Sequence, residues 1–206
     1  MLRLYSDRAA ERIIRRLDAP IRDLCARYGL PAPLLQAVLY REITQIDLFD
    51  PLADGLVTVN LWRMRRRDSF PKKRGLLYKC DSSTGYAQIF GRVGIEAVNF
   101  ALDRGLTSAA DLGLPEGRLD ANRPRDRRLV WRRLRREPVF NLTLAALNLL
   151  SAAEEKTGRI DFASYGPEDL QRILTRYNGT SPAISAYGKA AYADYLRYAA
   201  KTEPPV

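Results

Sequence analysis

One glutamate stands out among the residues able to do chemistry. Glu42 lies in LLQAVLYREITQI (Leu34 to Ile46), where Leu34, Leu35, Val38, Leu39, Ile43 and Ile46 recur at helical spacing. It follows Val38 by four and Leu35 by seven, so it projects from the edge of the apolar stripe. Burial disfavours the anion and raises a carboxyl pKa. A carboxylic acid held protonated near neutral pH can serve as a general acid. The competing expectation is a boundary glutamate paired with an arginine such as Arg41. The chain has no histidine, which excludes Ser-His and Cys-His nucleophile pairs and His-based metal sites. Cys25 falls on an apolar helical face and reads as a core thiol, and no pattern supports pairing it with Cys80. No metal site and no cofactor are expected.

The elements that must position Glu42 read as helices almost throughout. Ser6 can cap a helix through Leu17, and Pro20 opens a second that ends at Gly29. Pro31 and Pro33 open the Glu42 helix, and Pro51 starts another that turns Leu52, Leu56, Val59 and Trp62 inward. Residues 63–75, RMRRRDSFPKKRG, form a basic loop, read as a solvated turn or as a contact for an anionic polymer. CDSSTGYAQIF (80–90) reads as a loop or small hairpin arm. Helices resume over Val93–Leu102 and Arg125–Arg136, joined by a turn at Thr107–Leu112 and a connector at Gly113–Pro124. Pro138 to about Lys156 is the most apolar helix, with Val139, Leu142, Ala146, Leu149, Leu150 and Ala153 on its stripe. Pro167–Tyr177 is a further helix, and Pro182 begins the last, carrying Ile184, Tyr187, Ala191, Tyr195 and Leu196. The tail TEPPV reads as frayed. No linker or internal repeat is visible. The expectation is a single all-α domain over residues 1–206, mainly helical, with a small loop or hairpin insert.

Charge narrows the partner without choosing it. A net charge of +10 favours an anionic partner such as nucleic acid, an acidic membrane surface or a cell-wall polymer. The arginines of residues 125–136 could bind nucleic acid, but only Trp131 interleaves them, so a helix with a solvated basic face is preferred. The N-terminus lacks an apolar core of signal-peptide length, and Val139–Ala153 is too short and too polar to span a membrane. A soluble chain without a classical export signal is expected.

Four segments, in order, resemble the lysozyme-like superfamily, nearest to lytic transglycosylases and goose-type lysozymes. AVLYRE (37–42) is similar to the helix ending in the catalytic glutamate, and SSTGYAQI (82–89) to the serine, glycine, glutamine, isoleucine loop. EPVFNLTLAALNLL (137–150) is similar to the core helix. RYNG (176–179), followed by AYGKAAYADY (186–195), resembles the Tyr-Asn-Gly motif and the Tyr-Gly helix after it. The resemblance covers about residues 34–198, with helices in 1–30 packed on that body. It implies an activity at the bacterial cell wall: cleavage of the MurNAc-GlcNAc glycan of peptidoglycan by a monomer.

The same resemblance implies Glu42 as the general acid and Ser83, Gln88, Tyr177 and Asn178 as substrate-binding residues. Gln88 and the loop backbone would line the glycan groove, with Tyr177 and Asn178 across it. The chain departs from the pattern at Ile43-Thr44, where a serine usually follows the glutamate, and at Gly85-Tyr86-Ala87-Gln88 in place of Gly-Leu-Met-Gln. Ser83 stands where animal-type lysozymes carry their aspartate partner. Glycoside cleavage normally uses two carboxyl groups. Asp81 is therefore a candidate second acid, and Asp47, Asp50 and Asp54 are weaker ones, with helix caps as the competing role. Without one, Glu42 would act alone, assisted by the sugar's N-acetyl group. The alternatives are a non-catalytic glycan-binding module and, less favoured, a basic helical nucleic-acid binder; nucleic acid is not the expected partner.

Overall fold

The computed structural model describes residues 3–71, 75 and 78–202. Lys72, Lys73 and Arg74 of the basic loop and residues 203–206 of the tail lie outside the described residues. The protein is all-α: among the described residues there are nine α-helices and one two-stranded sheet. None of these helices is long and apolar enough to cross a membrane. The chain divides into two compact units, one of Met1–Leu4 with Ile46–Leu147, the other of Tyr5–Gln45 with Asn148–Val206.

The second unit holds α1 (Asp7–Arg16), α2 (Asp18–Tyr28), α3 (Ala32–Gln45), α8 (Pro167–Asn178) and α9 (Ala186–Thr202). Ser6 caps α1 through Ala9 N–H at 3.3 Å. Gly29 ends α2 at φ +65°, a conformation glycine adopts without strain. α3 packs against α9, and α1 and α2 against α3. Leu34 through Tyr40 are all buried, as are Glu42, Ile43 and Thr44. α3 is thus enclosed on nearly every side rather than along one stripe. Each fully buried leucine there contributes about 1.5–3 kcal/mol over leaving it exposed. The last helix begins at Ala186, not Pro182, because Ser185 Oγ accepts the Gly188 N–H at 3.0 Å and caps it. Leu196, expected inward, is half exposed; Gly188, Ala191, Asp194 and Tyr198 are buried in α9.

The first unit holds α4 (Asp50–Arg63), β1 (Ser83–Thr84), β2 (Ile89–Phe90), α5 (Gly91–Asp103) and α6 (Pro124–Arg136). The hairpin pairs Ser83 with Phe90 and Thr84 with Ile89, antiparallel. Pro51 and Pro124 sit in the first turns of α4 and α6, where the missing N–H costs nothing. The inward face of α4 is Val57, Asn60 and Leu61, whereas Leu52, Val59 and Trp62 are mostly exposed. Asn60 goes in because its amide donates to the Lys79 carbonyl at 2.9 Å. Val57, Leu61, Met64, Cys80 and Trp131 form one apolar cluster. α7 (Pro138–Thr157) is buried at every position from Phe140 to Leu150, as an all-round apolar helix must be. Val139, expected in the core, is half exposed. The division between the units falls within α7, between Leu147 and Asn148.

Candidate active site

In the second unit, α3 delivers Glu42 into a buried setting, with 7% of the residue exposed. The Tyr187 hydroxyl, from the first turn of α9, donates to Glu42 Oε1 at 2.5 Å. Burial pushes the Glu42 carboxyl up to about 7; the Tyr187 hydrogen bond and then the Arg41 charge pull it back only in part. Arg41 is not its ion-pair partner. Its guanidinium donates to the Ala190 carbonyl at 3.0 Å and to the Asp194 carboxylate, both on α9. Glu42 is therefore a carboxylic acid close to half protonated at neutral pH, facing a phenol.

Tyr177, near the end of α8, is buried, and its pKa lies well above the ordinary phenol range, through burial first and the Glu42 charge second. Tyr187 is raised in the same way by burial, Glu42 and Tyr177 in turn. This setting disfavours ionisation of both phenols, and Tyr187 uses its hydroxyl as a donor to Glu42. Asn178 follows Tyr177 and is exposed. The structure thus places Tyr177 within the electrostatic reach of Glu42, and adds Tyr187.

Two small residues set the position of Tyr187. Gly188 lies so close to α8 that a Cβ there would sit 2.1 Å from Thr175 Oγ1 and 2.6 Å from the Gln171 carbonyl. Thr175 in turn accepts the Ser185 N–H at 3.1 Å. α9 can approach α8 only with glycine at 188, and residue 187 is carried in by that approach.

The remaining candidates belong to the first unit. Ser83 is half-buried in β1. Gln88 adopts φ +46° at the end of the hairpin turn, and its Nε2 donates to the Gly85 carbonyl at 2.8 Å. Asn141 of α7 holds the turn from below: its Oδ1 accepts Ala87 N–H at 2.8 Å, and its Nδ2 donates to the Thr84 carbonyl at 3.1 Å. Gly85, at φ +72°, is needed twice, since a Cβ would meet Asn141 at 2.4 Å and the Leu134 carbonyl at 2.6 Å. The Trp131 indole donates to the Ser82 carbonyl at 3.0 Å.

The four aspartates weighed as second acids are all engaged within this unit. Asp81 accepts Gly91 N–H at 2.7 Å and Arg92 N–H at 2.9 Å, capping α5, and lies 3.7 Å from Arg127. Burial raises its carboxyl, and these partners oppose the rise. Asp47 Oδ1 accepts from the backbone of Phe49 and Asp50, while Asp50 Oδ2 accepts from Asp47 N–H, together forming the entry to α4. Asp54 takes the hydroxyls of Ser82 and Thr84, each at 2.7 Å.

Cys25 and Cys80 are buried free thiols, and burial pushes Cys25 up to about 12. Among the described residues no cluster of three or more Cys, Asp or Glu could hold a metal ion. Tyr187 and Asn141 were not singled out as site residues from the sequence. The available signals were the Tyr-Gly pair opening a helix and an asparagine within an otherwise apolar run. Against protein-family models, curated proteins and solved structures, the chain finds no match.

Proposed function

We propose that this protein is a lysozyme-like enzyme, nearest to lytic transglycosylases and goose-type lysozymes, that cleaves the MurNAc-GlcNAc glycan of peptidoglycan with Glu42 as its single general acid. The observation that carries the reading is the buried Glu42 carboxyl, raised to about 7 and facing the Tyr187 hydroxyl. Its position in AVLYRE, and the resemblance of the other three segments, add support. Glu42 gives its proton to the glycosidic oxygen as the bond to the anomeric carbon breaks. The N-acetyl oxygen of the same sugar attacks that carbon and holds the positive charge. The Glu42 carboxylate then takes a proton, either from a hydroxyl of that sugar, which closes an anhydro ring, or from water. Tyr187, donating to Oε1, steadies the carboxylate between the two steps. The helix-entry and hairpin-bracing roles of Asp47, Asp50, Asp54 and Asp81 favour a single-acid route.

Incubation with purified sacculi tests the reading. Soluble muropeptides are expected, and mass spectrometry distinguishes anhydro from hydrated ends. Glu42→Gln should lower the rate at least about a hundredfold, within the range removed with a general acid. Asp81→Asn should lower stability while leaving turnover of the folded enzyme within a few-fold. Binding of sacculi without cleavage by the wild type would replace the enzyme with a glycan-binding module. Loss of turnover in a folded Asp81→Asn variant would restore a two-carboxylate mechanism.

A further inference from the structure

α6 carries seven arginines, and the structure divides them into two groups. Arg127 donates to the Ala121 carbonyl and lies 3.7 Å from Asp81. Arg133 is held by Glu137 at 2.8 Å and by the carbonyls of Leu112 and Gly113. Arg135 donates to Thr58 Oγ1 at 2.9 Å and lies 3.7 Å from Asp54. These three serve the fold. Arg125, Arg128, Arg132 and Arg136 make no ion pair or hydrogen bond with any described residue. Their spacing of three, four and four puts them in one row along the helix. Like charges at this spacing repel and weaken a helix by a few tenths of a kcal/mol per pair. Arg125 also opposes the positive end of the helix dipole.

The row borders two clefts. One, of about 660 Å3, is lined by all four of these arginines together with Arg118, Arg123 and Arg133, against three acids, Glu116, Asp126 and Glu137. The other, of about 250 Å3, holds Arg128, Arg132, Arg135 and Arg136 beside the exposed Trp62, and no acid. Arg128, Arg132 and Arg136 belong to both. Successive members of this trio are about 6 Å apart along the axis. That is a ladder of guanidinium forks suited to successive phosphates of an extended chain.

Base stacking has little to work with on this face. Trp131 is 2% exposed with its indole N–H bonded to Ser82, and the Trp62 ring is overlaid by the Arg65 guanidinium at 4.3 Å. Single-stranded nucleic acid binding draws on successive aromatic platforms, which are missing among the described residues here. Recognition through phosphates, with polyol carbons against Leu129 and Trp62, fits better.

We propose that the arginine row of α6 binds a linear phosphodiester polymer, of the polyol-phosphate kind that accompanies bacterial peptidoglycan. The choice of this source over other polyphosphates rests on the peptidoglycan reading of Glu42. The row would hold the protein on the wall while a separate site does the cleavage.

The test uses the full chain and a labelled poly(glycerol phosphate) oligomer, followed by fluorescence anisotropy over a salt series. The triple variant Arg128→Gln, Arg132→Gln, Arg136→Gln should bind at least about tenfold more weakly, as expected for losing charge-assisted bonds. The slope of log affinity against log salt should fall by about 2, the value for three lost contacts on a flexible polyanion. Arg132→Gln alone, at an exposed site, gives a smaller loss in the same direction and serves if the triple variant fails to fold. Wild-type affinity in either folded variant overturns the proposal. So does tighter binding of a single-stranded oligonucleotide with the same number of phosphates, which would make this a nucleic-acid face. Sacculi stripped of phosphate polymers separate the two readings: the folded triple variant should cleave them as fast as wild type. If polymer binding holds and no preparation cleaves glycan, the Glu42 reading fails and the arginine row stands as a polyphosphate site.

Discussion

The Tyr187 hydroxyl donates to Glu42 Oε1 at 2.5 Å, across 145 residues of sequence. That bond favours the carboxylate and is the largest influence opposing the burial that raises the Glu42 pKa. Tyr187→Phe should therefore raise the Glu42 pKa further. A general acid with a higher pKa stays protonated to higher pH, so the alkaline limb of the cleavage profile should move upward while the maximal rate falls. Carbon-13 titration of the labelled carboxyl measures the same shift without substrate. An unchanged titration would show that the bond does not form in solution.

Glu42 should also make stability depend on pH. Its folded pKa is above its unfolded one, so its contribution is full below the unfolded value and is lost as pH rises through about 7. The loss amounts to about 3 kcal/mol at most. Glu42→Gln has no proton to lose. Its melting temperature should hold between about pH 4 and pH 8 while the wild type falls below it. Parallel melting curves over that window would contradict the assigned burial.

Gly188→Ala reverses the usual sign of its class. In an open helix the change stabilises, because alanine has less freedom to lose. Here the new Cβ meets Thr175 and the Gln171 carbonyl, so overpacking should cost about 1–3 kcal/mol. Moving α9 outward also withdraws Tyr187 from Glu42, so the carboxyl titration should shift from that of the wild type. Thermal melts and the carboxyl titration together check both effects.

Asn141→Ala removes the two hydrogen bonds that brace the turn at Thr84 and Ala87. A fully buried amide with both ends used makes this cost about 2–4 kcal/mol. Hydrogen exchange at the Ala87 amide should quicken ahead of global unfolding. Exchange at the wild-type rate would mean that the turn holds its shape without Asn141.

The helical class was legible because local signals agreed. Apolar runs marked α3 and α7, and prolines marked the first turns of α4, α7 and α8. The orientation of α4 was not legible, since Leu52, Val59 and Trp62 offer an apolar face rivalling that of Val57 and Leu61. What settles it is Asn60 finding the Lys79 carbonyl, a contact outside the helix's own period. Glu42 could be singled out from its setting in α3. Its partner was not, because the Tyr-Gly pair that sets Tyr187 apart from the other tyrosines of α9 says nothing of a contact 145 residues away. The division of the α6 arginines was equally hidden: each looks alike in sequence, and only the carbonyls and carboxylates around them tell fold-serving from free.

The second unit is assembled from residues 5–45 and residues from 148 onward, with about a hundred residues of the first unit translated in between. On the ribosome α3 emerges well before α9. At about 5–20 residues per second, Leu34, Leu35, Leu39 and Ile43 wait on the order of 8–30 seconds for α9, the helix that packs on them. During that interval the nascent chain presents a sticky apolar rod to the cytosol and to neighbouring chains, while the first unit can close as soon as its own helices clear the exit tunnel. Truncation before α8 should therefore yield a product that depends on chaperones, and slow codons late in the message should lower the yield more than slow codons early in it.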